Sequence, residues 1–469
     1  MTHQATDGNL NRRGFLRGLV VATLGAIAGG VVLFRDRLPG ILGPRRRPNI
    51  IFIIADDLGY GDLGSYGQQL IQTPHLDAMA AEGMRFTQCY AGSTVCMPSR
   101  ATLMTGLHTG HARIRANRSV KAKRVALRPQ DLTVAELLKS AGYTTGGFGK
   151  WGLGGVRSEG PPHKKGFDEW FGYLSQSNAH EYYPEFLWRN GEQVWIEENF
   201  DGKKEVYSHD LITSEALSFI QAHQEDRFFL YLPYTIPHPR LEPPSDEPYA
   251  DKPWPQEEKS RSAMITRMDR DVGRILSLLK ELRLDKDTIV FFTSDNGPAR
   301  SDTEIGAALF RRFGPLSGSK GKLYEGGIRV PMLVWWPGVI EPGTVSEHVW
   351  AFWDFMLTAA DLAETELPED VETDGISVLP TLLGETQQEH EYLYWEYFNG
   401  LATGDFLQAV RMGDWKGVRN AADADIELYD LRDDISEEHD LAAEHPEIVA
   451  EIADIMQTAH TPSDNWGGP

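Results

Sequence analysis

The segment at 49–57, NIIFIIADD, is an unbroken apolar run closed by two aspartates. Strict alternation marks a strand with one wet face, whereas a continuous run marks a strand covered on both faces, as in parallel sheets sandwiched by helices. Further strand candidates lie at 143–148, 228–232 and 289–293, separated by stretches with helical spacing. Thr73-Pro74 opens one such stretch and Gly83 closes it, with Pro in the first turn and Gly past the last. Residues 131–140, ending near Gly142, read the same way, and 264–282 form a longer amphipathic helix. This alternation predicts an α/β fold: a large mixed, mostly parallel sheet flanked by helices. From about Val349 the pattern changes to short strands, at 407–411, 415–419 and 427–431, followed by a helix over 446–458. These predict a smaller C-terminal subdomain, an antiparallel sheet plus helix. The expected organisation is 1–47 as leader and linker, 48–348 as the main α/β domain and 349–469 as the subdomain.

The leader has its own logic. Residues 11–17 read NRRGFLR and precede 17 apolar-rich residues, 18–34. Arg12-Arg13 with Phe15-Leu16 resemble the bacterial twin-arginine export signal, which implies passage of the folded protein through the Tat translocase to the periplasm. Ala26-Ile27-Ala28 offers a cleavage site; left uncleaved, the run is at the lower limit for a membrane span and would anchor the protein facing the periplasm. The net charge is −22, and the leader alone holds eight Arg against two Asp, so the body is more acidic still. Such a body repels nucleic-acid phosphates, which excludes a nonspecific DNA or RNA binder. An anionic small substrate therefore needs a local basic pocket. Cys89 and Cys96 are the two cysteines, enough for one internal disulfide and too few for a disulfide scaffold.

In open α/β sheets ligands bind beyond the carboxyl ends of the strands, so polar residues just after apolar runs are the first to inspect. Here these are Asp56-Asp57, Lys150, Pro237-His238-Pro239 and Ser294-Asp295-Asn296-Gly297. Three carboxylates and an amide are oxygen donors, suited to a hard cation, with Ca2+ favoured over Mg2+, and unlike a His/Cys zinc site. The plainer reading is that Asp56-Asp57 cap a turn and that Asp295-Asn296-Gly297 is only a tight turn. Cys96, followed by Met97-Pro98-Ser99-Arg100, sits where a helix begins, a place that stabilises anions and lowers a thiol pKa. Pairing with Cys89, or simple burial, is the alternative.

At CMPSRATLMTG (96–106) the sequence resembles the sulfatases, the formylglycine-dependent, arylsulfatase-like family of the alkaline phosphatase superfamily, whose signature is C-x-P-S-R followed by T-G. ADDLGYGDLGSYG from Ala55, GKWGLG from Gly149, PHP from Pro237, SDNG from Ser294 and GSKGKLYEGGIRVP from Gly318 follow in family order, and RMGDWK and ELYDL match its C-terminal part. The resemblance covers nearly everything after residue 48. It implies that a maturation enzyme oxidises Cys96 to formylglycine, whose hydrated form attacks the sulfur of a carbohydrate or aryl sulfate monoester. It further implies Asp56, Asp57, Cys96, Asp295 and Asn296 as metal ligands, Arg100 steadying the hydrated aldehyde, Lys150 and Lys320 binding sulfate oxygens, and His238 near the leaving oxygen. Lys322 fits the YEGG spacing less well than Lys320.

One departure stands out. Many sulfatases read GKWHLG, and here Gly152 replaces that His, leaving His180 as the nearest candidate to fill the gap. Tyr182, Tyr183 and Trp188 either wall the substrate or simply pack. His108 and His111 take no role, and the acidic stretch at 423–444 reads as a solvated face. Two rival functions accompany the leading one: a phosphonate or phosphodiester hydrolase on the same fold, and an inactive protein that binds sulfated glycans.

Overall fold

The computed structural model describes Met1 and residues 47–119, 123–300, 309–399 and 405–466. The chain divides into Met1–Arg47 and a compact unit Pro48–Pro469. The twin-arginine motif and its apolar run lie outside the described residues. Among the described residues no helix is long and apolar enough to cross a membrane.

The large sheet is built from β1 (Asn49–Ala55), β2 (Met84–Tyr90), β3 (Thr144–Lys150), β4 (Glu169–Tyr173), β5 (Phe186–Arg189), β6 (Glu192–Trp195), β7 (Phe228–Pro233), β8 (Thr288–Ser294), β9 (Arg329–Trp335), β10 (Thr344–Ser346) and β11 (Trp350–Ala351). Its order is β10-β2-β9-β8-β1-β7-β3-β4-β5-β6, with β11 also on β2. The central ladder β8-β1-β7-β3 is parallel throughout, with Ile51 opposite Leu230 and Val290. β9 against its neighbours and the β4-β5-β6 edge run antiparallel, so the sheet is mixed. Every residue of β1 is buried. Ile50, Phe52 and Ile54 pack into the core on one side, and Ile51, Ile53 and Ala55 into the core on the other. Alternate side chains feed opposite cores, which is why the run is apolar without a break.

The helix Pro74–Glu82 begins at Pro74 and stops at Gly83. The helix expected over 131–140 is shorter, Val134–Ser140, because Thr133 and Glu136 form a reciprocal capping box. The long helix starts earlier than its apolar spacing suggested, at Gln256, and runs to Glu281. Its first turns are polar yet buried, with Glu258 ion-paired to Arg312. Ionic tertiary contacts, not an apolar stripe, hold that end.

The smaller sheet is β12 (Leu393–Phe398), β13 (Phe406–Met412), β14 (Trp415–Arg419) and β15 (Ile426–Asp430), antiparallel in that order, covered by the helix Pro446–Thr458. Leu393, Trp395, Leu407, Ala409 and Val418 join the core of the large sheet, and an ion-pair cluster is buried at the same junction. Lys416 on β14, fully buried, lies 2.8 Å from Glu325 Oε1 and 2.8 Å from Glu437 Oε1. Burial alone would raise the Glu325 carboxyl pKa, but Lys416 and Arg329 hold it below the usual carboxylate range. Removing one partner strands a buried charge, so Lys416→Met should lower unfolding free energy by about 3–5 kcal/mol. Urea denaturation followed by tryptophan fluorescence measures this.

Candidate active site

Four adjacent parallel strands deliver the site. Asp56-Asp57 follow β1, Lys150 ends β3, Pro237-His238-Pro239 follow β7, and Asp295-Asn296 follow β8. Chains leaving neighbouring parallel strands at one edge must converge, which is how motifs far apart in sequence meet. Backbone bonds fasten the turns together: Asp56 N–H donates to the Ile236 carbonyl (3.1 Å) and Asp295 N–H to that of Ala55 (3.0 Å). Asp57 takes a left-handed conformation, φ 64°, unusual for a residue with a side chain. Gly297 lies so close to the Gly326 carbonyl that a Cβ would sit 1.8 Å from the oxygen, so SDNG and YEGG can dock only through glycine.

Cys96 opens the buried helix Cys96–Thr105, preceded by the extended Val95. Both cysteines are free, so the disulfide alternative falls away. The Cys96 thiol lies 3.3 Å from Asp56 Oδ1, with Lys320 Nζ 3.5 Å from its sulfur. Its helix-terminal place suggested a lowered pKa, but burial and then the Asp56 carboxylate push it up to about 12, outweighing Lys150 and Lys320. The group is a thiol at neutral pH and a poor nucleophile, since thiolate is the reactive form.

Asp56, Asp57, Cys96 and His238 place one ligand-type atom each within 4.8 Å of one another. Lys150 donates to Asp56 Oδ2 at 2.5 Å, and Lys320 to both Asp57 oxygens at 2.7 and 2.8 Å. Asn296 Nδ2 reaches Asp57 Oδ1 at 2.7 Å, while its Oδ1 is buried with no hydrogen-bond partner. Asp295 stands slightly apart: its Oδ2 is gripped by Arg100 through Nε (2.9 Å) and Nη2 (2.8 Å), and its Oδ1 accepts from Asp57 N–H at 3.2 Å. Burial, then the neighbouring Asp56 charge, raises the Asp295 pKa to about 6 despite Arg100. The carboxylates of Asp56 and Asp57, with Asp295 alongside and the orphaned Asn296 Oδ1, are oxygen donors that fit a hard divalent cation. Arg100 also donates to the Lys150 carbonyl at 2.9 Å, so it orients Asp295 and the end of β3 from beneath the site.

Lys320 is held by its loop. Its N–H donates to the Pro298 carbonyl (3.1 Å), and Gly321 N–H to the Thr94 carbonyl (3.1 Å), tying the loop between SDNG and the approach to Cys96. Lys322 is exposed. His238 Nδ1 bonds the Pro239 carbonyl at 3.0 Å, and its Nε2 lies 3.6 Å from Asp57 Oδ2. Burial lowers its pKa against the pull of Asp57 and Asp56.

His180 stacks on His238, ring centroids 3.8 Å apart at 14°. Burial holds it neutral, its pKa near 3. It is not what fills the space beside Gly152. That place belongs to Gln176, whose Oε1 would lie 2.6 Å from a Cβ on Gly152 and is itself buried without a partner. No motif in the sequence marks Gln176; only the fold brings it there. Restoring the family imidazole by Gly152→His must fit a side chain at φ +81° against that amide. The variant should lose about 1–3 kcal/mol of stability and not gain activity. Adding Gln176→Ala should recover part of the loss, measured by denaturation and kcat/KM around the double-mutant cycle. Tyr182 does not wall the site: its hydroxyl donates to the carbonyls of Thr235 (3.1 Å) and His238 (2.6 Å), pinning the PHP turn from within the core. Tyr183 packs on Tyr207, and Trp188 is partly buried against the core.

Comparison with known proteins gives the family. Residues 48–365 match the Sulfatase family model, and 319–461 match the model described as N-sulphoglucosamine sulphohydrolase, C-terminal. N-acetylgalactosamine-6-sulfatase of Canis lupus familiaris is 36% identical over 402 residues, covering 80% of this chain and 72% of that one. N-acetylgalactosamine-6-O-sulfatase of Bacteroides thetaiotaomicron is 29% identical, covering 89% and 94%. The crystal structure of Ps i-CgsB in complex with k-i-k-neocarrahexaose superposes with a TM-score of 0.77 at 28% identity, covering 90% of this chain and 95% of that one. The chain belongs to the sulfatase family and is a sulfuric ester hydrolase.

Proposed function

We propose that the protein hydrolyses sulfate monoesters of a carbohydrate, using Ca2+ and a formylglycine made from Cys96. The observation that carries the reading is the convergence of Lys150, Lys320 and His238 on Asp56, Asp57 and Cys96, beyond the ends of β1, β3 and β7. The names of the relatives, two N-acetylgalactosamine 6-sulfatases, and the k-i-k-neocarrahexaose bound by a fold neighbour support a sugar as the alcohol.

Asp56, Asp57, Asp295, Asn296 and residue 96 would hold the ion, which when bound supplies Lewis-acid polarisation of sulfate oxygens. Formylglycine at position 96 would supply the attacking hydroxyl in place of the inert thiol. Lys150 and Lys320 place two ammonium groups where the sulfate oxygens gather charge in the transition state, fixed in advance by Asp56 and Asp57. His238, with Nδ1 turned to the Pro239 carbonyl, presents Nε2 as the atom that passes a proton to the departing alcohol. Arg100 and Asn296 position Asp295 and Asp57.

Conversion of Cys96 calls for a formylglycine-generating maturation enzyme, and the leader calls for Tat export to the periplasm. Fractionation of the native host, with the mature N-terminus sequenced, checks the route and whether the leader stays as an anchor. Matured protein should turn over N-acetylgalactosamine 6-sulfate with kcat/KM orders of magnitude above that for matched phosphate monoesters, phosphodiesters and phosphonates. A preference for the phosphorus esters would instead assign the phosphonate or phosphodiester hydrolase reading. Binding of sulfated sugar without sulfate release by matured protein would assign the glycan-binding one.

A further inference from the structure

Beside the PHP turn lies a cleft of about 410 Å3 whose lining includes Arg240, Arg261, Arg300 and Arg312, with Glu242 and Glu257 at its walls. Two of the guanidinium groups are buried, Arg261 at 4% exposure and Arg312 at 2%. Arg312 pairs with the buried Glu258 through Nη2, while its Nε is buried without a partner. Arg261 is more unusual. Among the described residues its one hydrogen bond is a long one from Nη1 to the Pro237 carbonyl, 3.4 Å, its Nε has no partner, and no carboxylate lies within ion-pair distance, although Asp62, Glu258 and Asp57 act on it from farther off. Arg240 is paired with Glu181 at the rim, and Arg300 is exposed.

A buried guanidinium with an N–H left unbonded is costly, by roughly 1–3 kcal/mol for the donor without a partner. Asp62, Glu258 and Asp57 offset the charge of Arg261 from beyond hydrogen-bond reach but leave its Nε unbonded. Four guanidinium groups around one cleft, against two wall glutamates, suit a carboxylate or a sulfate, each of which accepts two parallel hydrogen bonds from a guanidinium fork. The cleft is next to the reaction. Arg261 touches the carbonyl of Pro237, Pro239 lines the cleft, and His238 stands between them with its ring bonded to the Pro239 carbonyl.

We propose that this cleft, through Arg261 and Arg312, receives a second anionic group of the substrate, a carboxylate or a further sulfate on the same glycan. The proposal rests on the sulfated-carbohydrate reading above and narrows it to polyanionic glycans. Position then sets specificity: the scissile sulfate lies with Lys150 and Lys320, and the second anion lies on the far side of His238.

The test uses unmatured protein, which keeps Cys96 and so binds without turnover, titrated calorimetrically with three sugars. These are N-acetylgalactosamine 6-sulfate, the same sugar linked to a uronic acid, and D-glucosamine 2-N,6-O-disulfate. At least one doubly anionic sugar should bind more tightly than the singly sulfated one, and which one does so tells carboxylate from sulfate. Arg261→Gln should weaken that sugar about 10- to 100-fold and leave the singly sulfated sugar within about twofold. Arg261→Lys, which keeps the charge but not the fork, should fall between and covers the case in which the Gln variant fails to fold. Equal binding of all three sugars by the wild type, binding of none, or an Arg261 variant that weakens all alike overturns the proposal. If Arg261-dependent binding is found while matured protein releases no sulfate, the hydrolase reading fails and the anion site stands.

Discussion

Cys96→Ala should abolish sulfate release, with kcat lower by about 10^4-fold or more while the fold persists. The expectation of so large a loss comes from the chemistry of position 96: the residue there supplies the attacking oxygen once oxidised, and no neighbouring group can replace it. Asp56, Asp57, Lys150 and Lys320 remain paired with one another without the sulfur, so the pocket stays formed. Only two contacts are lost, the thiol to Asp56 at 3.3 Å and Lys320 to sulfur at 3.5 Å. The stability cost should be about 1 kcal/mol. Single-turnover assays with N-acetylgalactosamine 6-sulfate, beside thermal unfolding of both proteins, measure the two effects separately. A variant that keeps a tenth of the activity would remove position 96 from the mechanism.

Exhaustive chelation should produce the second large effect, a fall in rate of about 10^3-fold, the equivalent of several kcal/mol of lost charge stabilisation. It should also lower the melting temperature, because an ion that binds only the native state contributes about 2.7 kcal/mol at a hundred times its Kd. Both losses should reverse with Ca2+, less fully with Mg2+, and not with Zn2+, since the donors are carboxylate and amide oxygens. Asp57→Asn should weaken the Ca2+ response while leaving Lys320 one fewer charge to oppose. Preferential rescue by Zn2+ would point instead to His238 and an unmodified Cys96 as the working ligands.

The strands that carry this site are legible because each is buried on both faces. Continuous runs such as those of β1, β7 and β8 announce themselves, and the polar residues that close them then stand out. Elements stabilised by tertiary polar contacts do not. The start of the helix at Gln256 is hidden because Glu258 and Arg261 look like surface residues and are in fact buried. The same limit applies within the site. Lys320 could be separated from Lys322 by its distance to YEGG, but Gln176 and Arg261 carry no local signal. Their surroundings are made by residues dozens of positions away, so only the folded chain shows an amide beside Gly152 and a buried guanidinium with an unbonded Nε. The thiol of Cys96 shows how one effect overrides another: the helix terminus favours thiolate, and full burial next to Asp56 disfavours it more.

That thiol, too reluctant to ionise to serve as the nucleophile, makes the chemical state of residue 96 the central claim. The direct measurement is the mass of the tryptic peptide running from Phe86 to Arg100, taken from protein made in its native host or with a maturation enzyme supplied. Cys89 lies in the same peptide and reports ordinary thiol chemistry. The account predicts an aldehyde at position 96 and an unmodified, alkylatable thiol at Cys89. A free thiol at both positions in protein that nonetheless releases sulfate would contradict it.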